Sequence, residues 1–202
     1  MSLPDGAHFF ELLQVPQQFE QDLNLLGQHY RLAQQQAHPD QAAGGAQAVA
    51  GAMRINQAYE TLKAPDRRAT YLLQLAGEAH GLEKSIADVE FLQQALELRE
   101  QLDEAGDAEE LEAVTAECQQ WLEALSREFV HDHAEQDWLE ARDTTRKMAF
   151  IQRLLDDVAR RQDQRHFGFG ALILQRLQPL PGVRPAGGGV ADAKRPMRVP
   201  LA

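Results

Sequence analysis

Cysteine is almost absent from this chain: 202 residues contain only Cys118. That excludes an intrachain disulfide framework and a cysteine-rich zinc or iron–sulfur site. The opening Met1-Ser2-Leu3-Pro4-Asp5 lacks a basic start followed by an apolar stretch, so no secretory signal is visible. Long apolar runs are missing too. The strongest near the end, Ala171–Leu174 with flanking Phe167 and Phe169, is far too short to span a bilayer. The expectation is a cytoplasmic protein without a membrane partner. Positive charge is scarce and unevenly placed. After His166 the chain carries Arg176, Arg184, Lys194, Arg195 and Arg198 against Asp192 alone, so the first 166 residues hold a formal charge of −15 within a total of −11. An acidic body argues against nucleic acid as a ligand, because phosphate binding needs clustered Lys and Arg.

No stretch has the alternation of a strand. Apolar residues recur at three and four, and Gly and Pro fall between the blocks, which predicts an all-α fold. With 44% hydrophobic residues the chain can bury a sizeable core, in one large or two small domains. A short helix is expected over about His8 to Leu13, closed by Val15-Pro16. A second runs from about Gln18 to Ala37, with Phe19, Leu23, Leu26, Tyr30 and Ala33 on one stripe, and Pro39 stops it. The small, polar Gln41–Gly45 is a loop. A third helix covers roughly Ala46 to Lys63, with Val49, Met53, Ile55, Ala58, Tyr59 and Leu62 facing inward. Pro65 suits the first turn of a fourth, bearing Arg67, Arg68, Tyr71, Leu72 and Leu75. Gly77 to Ser85 reads as a joint.

Three amphipathic stretches follow, about Asp88–Ala105, Asp107–Asp132 and Ala134–Gln164. Asp107 with Glu110 has the spacing of a capping box. Short connections make them antiparallel neighbours, hence a three-helix bundle. The resulting domains are 1–76, a linker at 77–87, the bundle at 88–166, and a basic tail at 167–202. In that tail Gly187-Gly188-Gly189 and prolines 179, 181, 185, 196 and 200 predict disorder.

Within this frame His38-Pro39-Asp40 sits between two helices expected to be antiparallel. Such a tripeptide arises by chance in about one chain in a hundred of this length. With Phe9-Phe10-Glu11-Leu12-Leu13, Ile55-Asn56-Gln57-Ala58-Tyr59-Glu60-Thr61-Leu62, and Pro65, Arg68, Ala69 and Tyr71-Leu72-Leu73, the first domain resembles a J-domain. The second part is similar to the C-terminal bundle of the HscB family. The matching residues are Phe91-Leu92, Leu96-Glu97-Leu98-Arg99-Glu100, Leu102-Asp103-Glu104 and Thr145-Arg146-Lys147-Met148 with Phe150. The resemblance spans about residues 8 to 160. It implies an L-shaped, two-domain J-type co-chaperone of bacterial iron–sulfur cluster assembly. Its first domain would engage a DnaK-type ATPase, HscA, and its bundle the scaffold IscU. Some relatives carry N-terminal cysteine pairs for a metal. This chain has none, so neither metal nor cofactor is implied.

On the tripeptide, Pro39 fixes a turn from which His38 and Asp40 project, and an exposed carboxylate there can pair with an arginine of the ATPase. The bland alternative is an ordinary helix-ending loop. J-domains usually have a basic second helix. Here Arg31 is joined only by His29, while Gln34-Gln35-Gln36 is neutral, Ala37 stands where an aromatic is frequent, and Gln41 where lysine is frequent. Docking should be weaker and less salt-sensitive than usual, with Arg31 as a contact.

The Asp88 helix carries a complete core stripe in Phe91, Ala95, Leu98 and Leu102. Leu92 and Leu96 are surplus, each about 100° round from a core residue. Glu100 and Glu104 continue their line, with Gln93 and Glu97 alongside. An apolar patch beside an acidic ridge has the composition of a protein-binding surface. In the last helix Met148, Ile151, Leu155 and Val158 make the core stripe, leaving Phe150 and Leu154 beside it. The resemblance implies that Leu92, Gln93, Leu96, Glu97, Glu100, Glu104 and Phe150 bind the scaffold. The competing possibility is a wide core face packing on the first domain.

Paired acids Asp156-Asp157 and Glu109-Glu110 lack a companion histidine or glycine-rich loop at a useful spacing, so no catalytic residue is assigned and the chain is expected not to be an enzyme. His131-Asp132-His133 places neighbours in different directions and reads as solvated polar surface. Cys118 reads as a small buried or half-buried residue. Two rival functions stay open: a J-protein serving a general chaperone with other clients, and a helical adaptor whose tripeptide is incidental.

Overall fold

A computed structural model describes residues 7–37 and 45–176, with the side chains of 45–48 and 165–176 outside that description. Among the described residues there are seven helices and no strand. The His38-Pro39-Asp40 turn and the segment after Arg176 lie outside them.

α1 (Phe9–Leu12) is one turn held by its start. His8 Nδ1 accepts the Glu11 N–H and the Glu11 carboxylate accepts the His8 N–H, each at 3.2 Å. The Phe9 ring stacks 4.5 Å from Tyr71, whose hydroxyl accepts the Phe9 N–H at 2.9 Å, so the turn is fastened to a helix sixty residues on.

α2 (Leu23–Gln36) begins five residues later than the apolar pattern suggests. Two local contacts compete with helix there. Gln21 donates to the Pro16 and Gln18 carbonyls, each at 2.8 Å, and Asp22 Oδ1 accepts from Asn24 and Leu25, capping the helix. Phe19 therefore enters the core from a loop, and Leu23, expected inside, is exposed.

α3 (Gly45–Lys63) packs on α2 through the Tyr30 and Tyr59 rings, stacked at 4.2 Å, with Tyr30 donating to Asn56 at 2.9 Å. Ile55, Ala58 and Leu62 are fully buried. Val49 and Met53, expected inward, point out, Met53 with 67% of its surface exposed. Two residues of helix turn a side chain by about 200°, so Ile55 and Met53 cannot share a face; Gly51 and Ala52 continue the buried line instead.

α4 (Pro65–Ala76) starts on its proline and ends at Gly77, whose φ of 79° is left-handed. Arg68 is buried in it. Its guanidinium lies 4.7 Å from the Phe19 ring centre and donates to the Leu62 carbonyl, and burial pushes it down to about 10, still charged at neutral pH.

After the linker come α5 (Val89–Glu104), α6 (Ala108–Glu135) and α7 (Trp138–Arg176). Asp88 caps α5 by accepting the Phe91 N–H at 3.0 Å, and Asp107 caps α6 by accepting that of Glu110 at 2.9 Å. The Glu110 carboxylate reaches Gly106 instead of completing the box at Asp107. Gln136, at φ 58°, turns α6 into α7.

The expected α5 stripe is buried in full, and so are Met148, Ile151 and Val158 of α7. Leu154 and Leu155 exchange their expected roles: Leu154 is buried and Leu155 half-buried. Leu154 stands three residues after Ile151 and four before Val158, so it closes the stripe better than Leu155 does. α7 also runs past the expected stop near Gln164. Phe167–Arg176 is helical, because the helix-breaking prolines and glycine run all lie beyond it, and Gly168 and Gly170 weaken helix without forbidding it.

The N-terminal helices meet α6 where the Phe19 and Phe129 rings pack 4.9 Å apart. Phe129 is completely buried. Phe129→Ala should cost about 3–5 kcal/mol of unfolding free energy, measured by urea denaturation; a loss below about 1 kcal/mol would show that this junction is not a packed core.

Candidate protein-binding surfaces

Arg31 is exposed on α2. A Cβ added at Gly27 would sit 3.7 Å from its guanidinium and 4.0 Å from the Tyr59 hydroxyl, so the arginine lies back along the helix beside Tyr59. α2 contains no other arginine or lysine. Its outward face also shows Leu25 and Leu32, seven residues apart and both exposed, among Gln28 and Gln35. The hairpin thus presents a neutral, partly apolar face with one cation.

The second surface lies on α5. Leu92 and Leu96 are exposed, by 39% and 57%, and Gln93, Glu97, Glu100 and Glu104 are exposed as well. Phe150 of α7 is only half-buried. Its ring meets Phe91 edge-on at 6.0 Å, and the Arg153 guanidinium lies 5.9 Å from its centre, so it borders α5 without standing free. One residue escaped the sequence reading. Val89 is 76% exposed and stands three residues before Leu92 and seven before Leu96. That spacing was available in the sequence, but Val89 sits at the first helical position, where a core-stripe search has not yet begun.

The acids of α5 differ in their pairing. Asp103, on the leucine line, pairs with Arg99 at 3.6 Å and with Arg161 at 2.9 Å, and Arg99 also meets Asp157 at 2.6 Å. Glu97, Glu100 and Glu104 make no ion pair among the described residues. They stand beside the leucines, on the side of α5 opposite its core stripe.

A third group fastens the linker. Arg142 Nη1 donates to the Glu78 carboxylate at 2.8 Å. Arg146 donates to the Gly81 carbonyl at 3.0 Å and to Asp143 at 2.7 Å. Lys147 Nζ lies 2.7 Å from Asp88, 3.1 Å from Asp143 and 5.6 Å from the Phe91 ring centre. The Lys147 hydrogen bond holds the Asp88 carboxyl below the usual range. Burial opposes ionisation of Asp143, but bonds from Arg146 and Lys147 outweigh it and lower that carboxyl too. Burial likewise opposes the Lys147 charge and loses to Asp88 and Asp143, which raise it.

His133, expected to be solvated, is half-buried with its ring 5.5 Å from both Phe129 and Trp138, and burial pushes it down. Asp132 accepts from Thr144 at 3.3 Å. Among the described residues no group of His, Cys, Asp or Glu could hold a metal ion. Cys118 is fully buried, and burial pushes its thiol up to about 11.

Two family models match this chain: the DnaJ domain over residues 8–71 and the HSCB C-terminal oligomerisation domain over residues 87–159. A co-chaperone protein HscB homolog of Acinetobacter baumannii is 50% identical over 155 residues, which span 77% of this chain and 90% of that protein. The chain belongs to the HscB family. A homolog from Vibrio cholerae is 37% identical over 167 residues, covering 78% of this chain and 98% of the relative. The solved structure of the chaperone HscB from Vibrio cholerae, at 36% identity, superposes with a TM-score of 0.64 over 78% of this chain and 99% of that one. Human co-chaperone HscB, at 22% identity, shares the fold with a TM-score of 0.68 over 80% of this chain and 85% of its own. This is therefore an HscB-family co-chaperone with an N-terminal J-domain, and J-domains act on Hsp70-type partners.

Asp143→Asn tests the charge network through pH. A depressed carboxylate contributes fully above the unfolded range, near pH 4, and that contribution is lost as pH falls through the lower folded value. The variant should be about 1 kcal/mol less stable than wild type at neutral pH, and the gap should close on acidification. Urea titrations at stepped pH check this; a constant gap would mean that the carboxylate charge is not what holds Lys147.

Proposed function

We propose that this chain stimulates the ATPase of a DnaK-type chaperone, HscA, through its J-domain, and delivers to it the iron–sulfur scaffold IscU, carried on the α5 face. The chain itself is not an enzyme in this reading. The J-domain is assigned to residues 1–76, the linker to 77–87 and the scaffold-binding bundle to 88–166. His38, Pro39, Asp40 and Arg31 meet the ATPase. Leu92, Gln93, Leu96, Glu97, Glu100, Glu104 and Phe150 meet the scaffold.

The observation that carries the reading is the free side of α5. Exposed leucines beside carboxylates that no cation among the described residues neutralises make a surface whose chemistry another protein would complete. Family membership supports the partners: the relatives are co-chaperones of the HscB type.

His38→Gln or Asp40→Asn should abolish ATPase stimulation while leaving scaffold affinity unchanged. Leu92→Ala, Leu96→Ala and Phe150→Ala together should weaken scaffold binding at least about tenfold, since three truncated apolar anchors at about 1 kcal/mol each exceed that threshold, while stimulation by the chain alone survives. Steady-state ATPase assays beside calorimetric titration with the scaffold check both. Scaffold affinity indifferent to the triple change would refute the α5 assignment, and recovery of denatured proteins instead of a scaffold would favour a general J-protein.

The neutral α2 predicts a further property. With Arg31 as its only arginine or lysine, stimulation should weaken less than about threefold between low and physiological salt, because few screened charges steer the encounter. A steep salt dependence in the same assay would place the docking charge elsewhere.

A further inference from the structure

The J-domain and the bundle are joined by twelve residues, Gly77 to Asp88, without helix or strand. A connection of that length normally lets two domains swing. Here it is stapled along its whole course to α7. Arg142 holds Glu78 at its start, Arg146 holds the Gly81 carbonyl in its middle, and Lys147 holds Asp88 at its end. The three cations meet the linker in chain order. Their side chains are only 14–16% exposed, so the bonds work in a partly desolvated setting where charge pairs are stronger than at the surface. Asp143 ties two of the cations together. Leu82 and Ile86 of the linker pack against the core between the staples.

The last staple has a second consequence. Asp88 is the N-cap of α5, and Lys147 precedes Phe150 on α7 by three residues. The brace that seats the linker therefore also sets α5 against α7, the two helices that carry Leu92, Leu96 and Phe150.

We propose that Arg142, Arg146 and Lys147 are positioning residues: they lock the J-domain to the scaffold-binding face, so that a bound scaffold is presented to the chaperone at one fixed attitude. The proposal rests on the reading under Proposed function. The brace touches neither partner. Breaking it should leave each separate interaction intact and remove only their cooperation, the extra ATPase stimulation that presentation at a fixed attitude predicts when chain and scaffold are added together.

The test is a charge swap in the full-length chain. Arg142→Glu faces Glu78 with a like charge, and Arg142→Glu with Glu78→Arg restores the pair in reverse. The first readout needs no partner. Lys84 is exposed in the linker, and a lysine-specific protease should cut there at least about tenfold faster in Arg142→Glu, which corresponds to about 1.4 kcal/mol of lost local protection. The double variant should regain wild-type resistance. The second readout is ATPase stimulation with and without IscU. Arg142→Glu should keep its own stimulation and its scaffold affinity within about twofold, but lose most of the joint effect, and the double variant should recover it. Should Arg142→Glu fail to fold by circular dichroism, Glu78→Gln makes the same comparison by removing the charge of the half-buried partner. Unchanged protection of Lys84, or a joint effect that survives a loosened linker, would overturn the proposal. So would a loss that the swap does not restore. If the wild-type chain stimulates no chaperone, the reading under Proposed function fails and the coupling role with it, while the protease rates still decide whether the brace exists.

Discussion

A helix in a three-helix bundle needs one apolar stripe. α5 satisfies the bundle with Phe91, Ala95, Leu98 and Leu102, all buried. Whatever else is apolar on it is left outside the core of the described residues. Val89, Leu92 and Leu96 are that remainder, exposed together on one side of the helix. Charge on the helix is only partly neutralised. Asp103 is paired by Arg99 and Arg161 and Asp88 by Lys147; Glu97, Glu100 and Glu104 make no ion pair among the described residues.

The J-domain core and the bundle core are continuous through Phe19 and Phe129. The unusual element here is Arg68, a buried cation lying on the Phe19 ring. It holds the loop before α2 against the start of α4, which lets Phe19 project toward α6 although no helix carries it. A loop residue thus joins two helical units, and the polar staples along α7 orient what the aromatic contact brings together.

Much of this was legible in the sequence. The all-α class followed from periodicity, and the helix starts expected at about Asp88 and Asp107 lie within a residue of those found. The α5 division into core and free faces held at every position named. What was misread has local causes. α2 began late because Gln21 and Asp22 bind nearby backbone, an outcome set by side-chain geometry that periodicity does not encode. Val49 and Met53 were placed inside because Gly51 and Ala52, the residues that continue the buried face, have too little side chain to signal it. Leu154 and Leu155 are adjacent and chemically identical, and only the spacing of three from Ile151 and four to Val158 distinguishes the buried Leu154. The linker brace was invisible, since nothing in the spacing of Arg142, Arg146 and Lys147 points to Glu78, Gly81 and Asp88.

The sealed position of Cys118 has a chemical corollary. A thiol pushed up to about 11 is ionised in only about one molecule in ten thousand at neutral pH. With no other cysteine in the chain, the protein exposes no thiol among the described residues. It can neither capture iron as a thiolate ligand nor form a mixed disulfide, and peroxide finds nothing on its surface of that kind to oxidise.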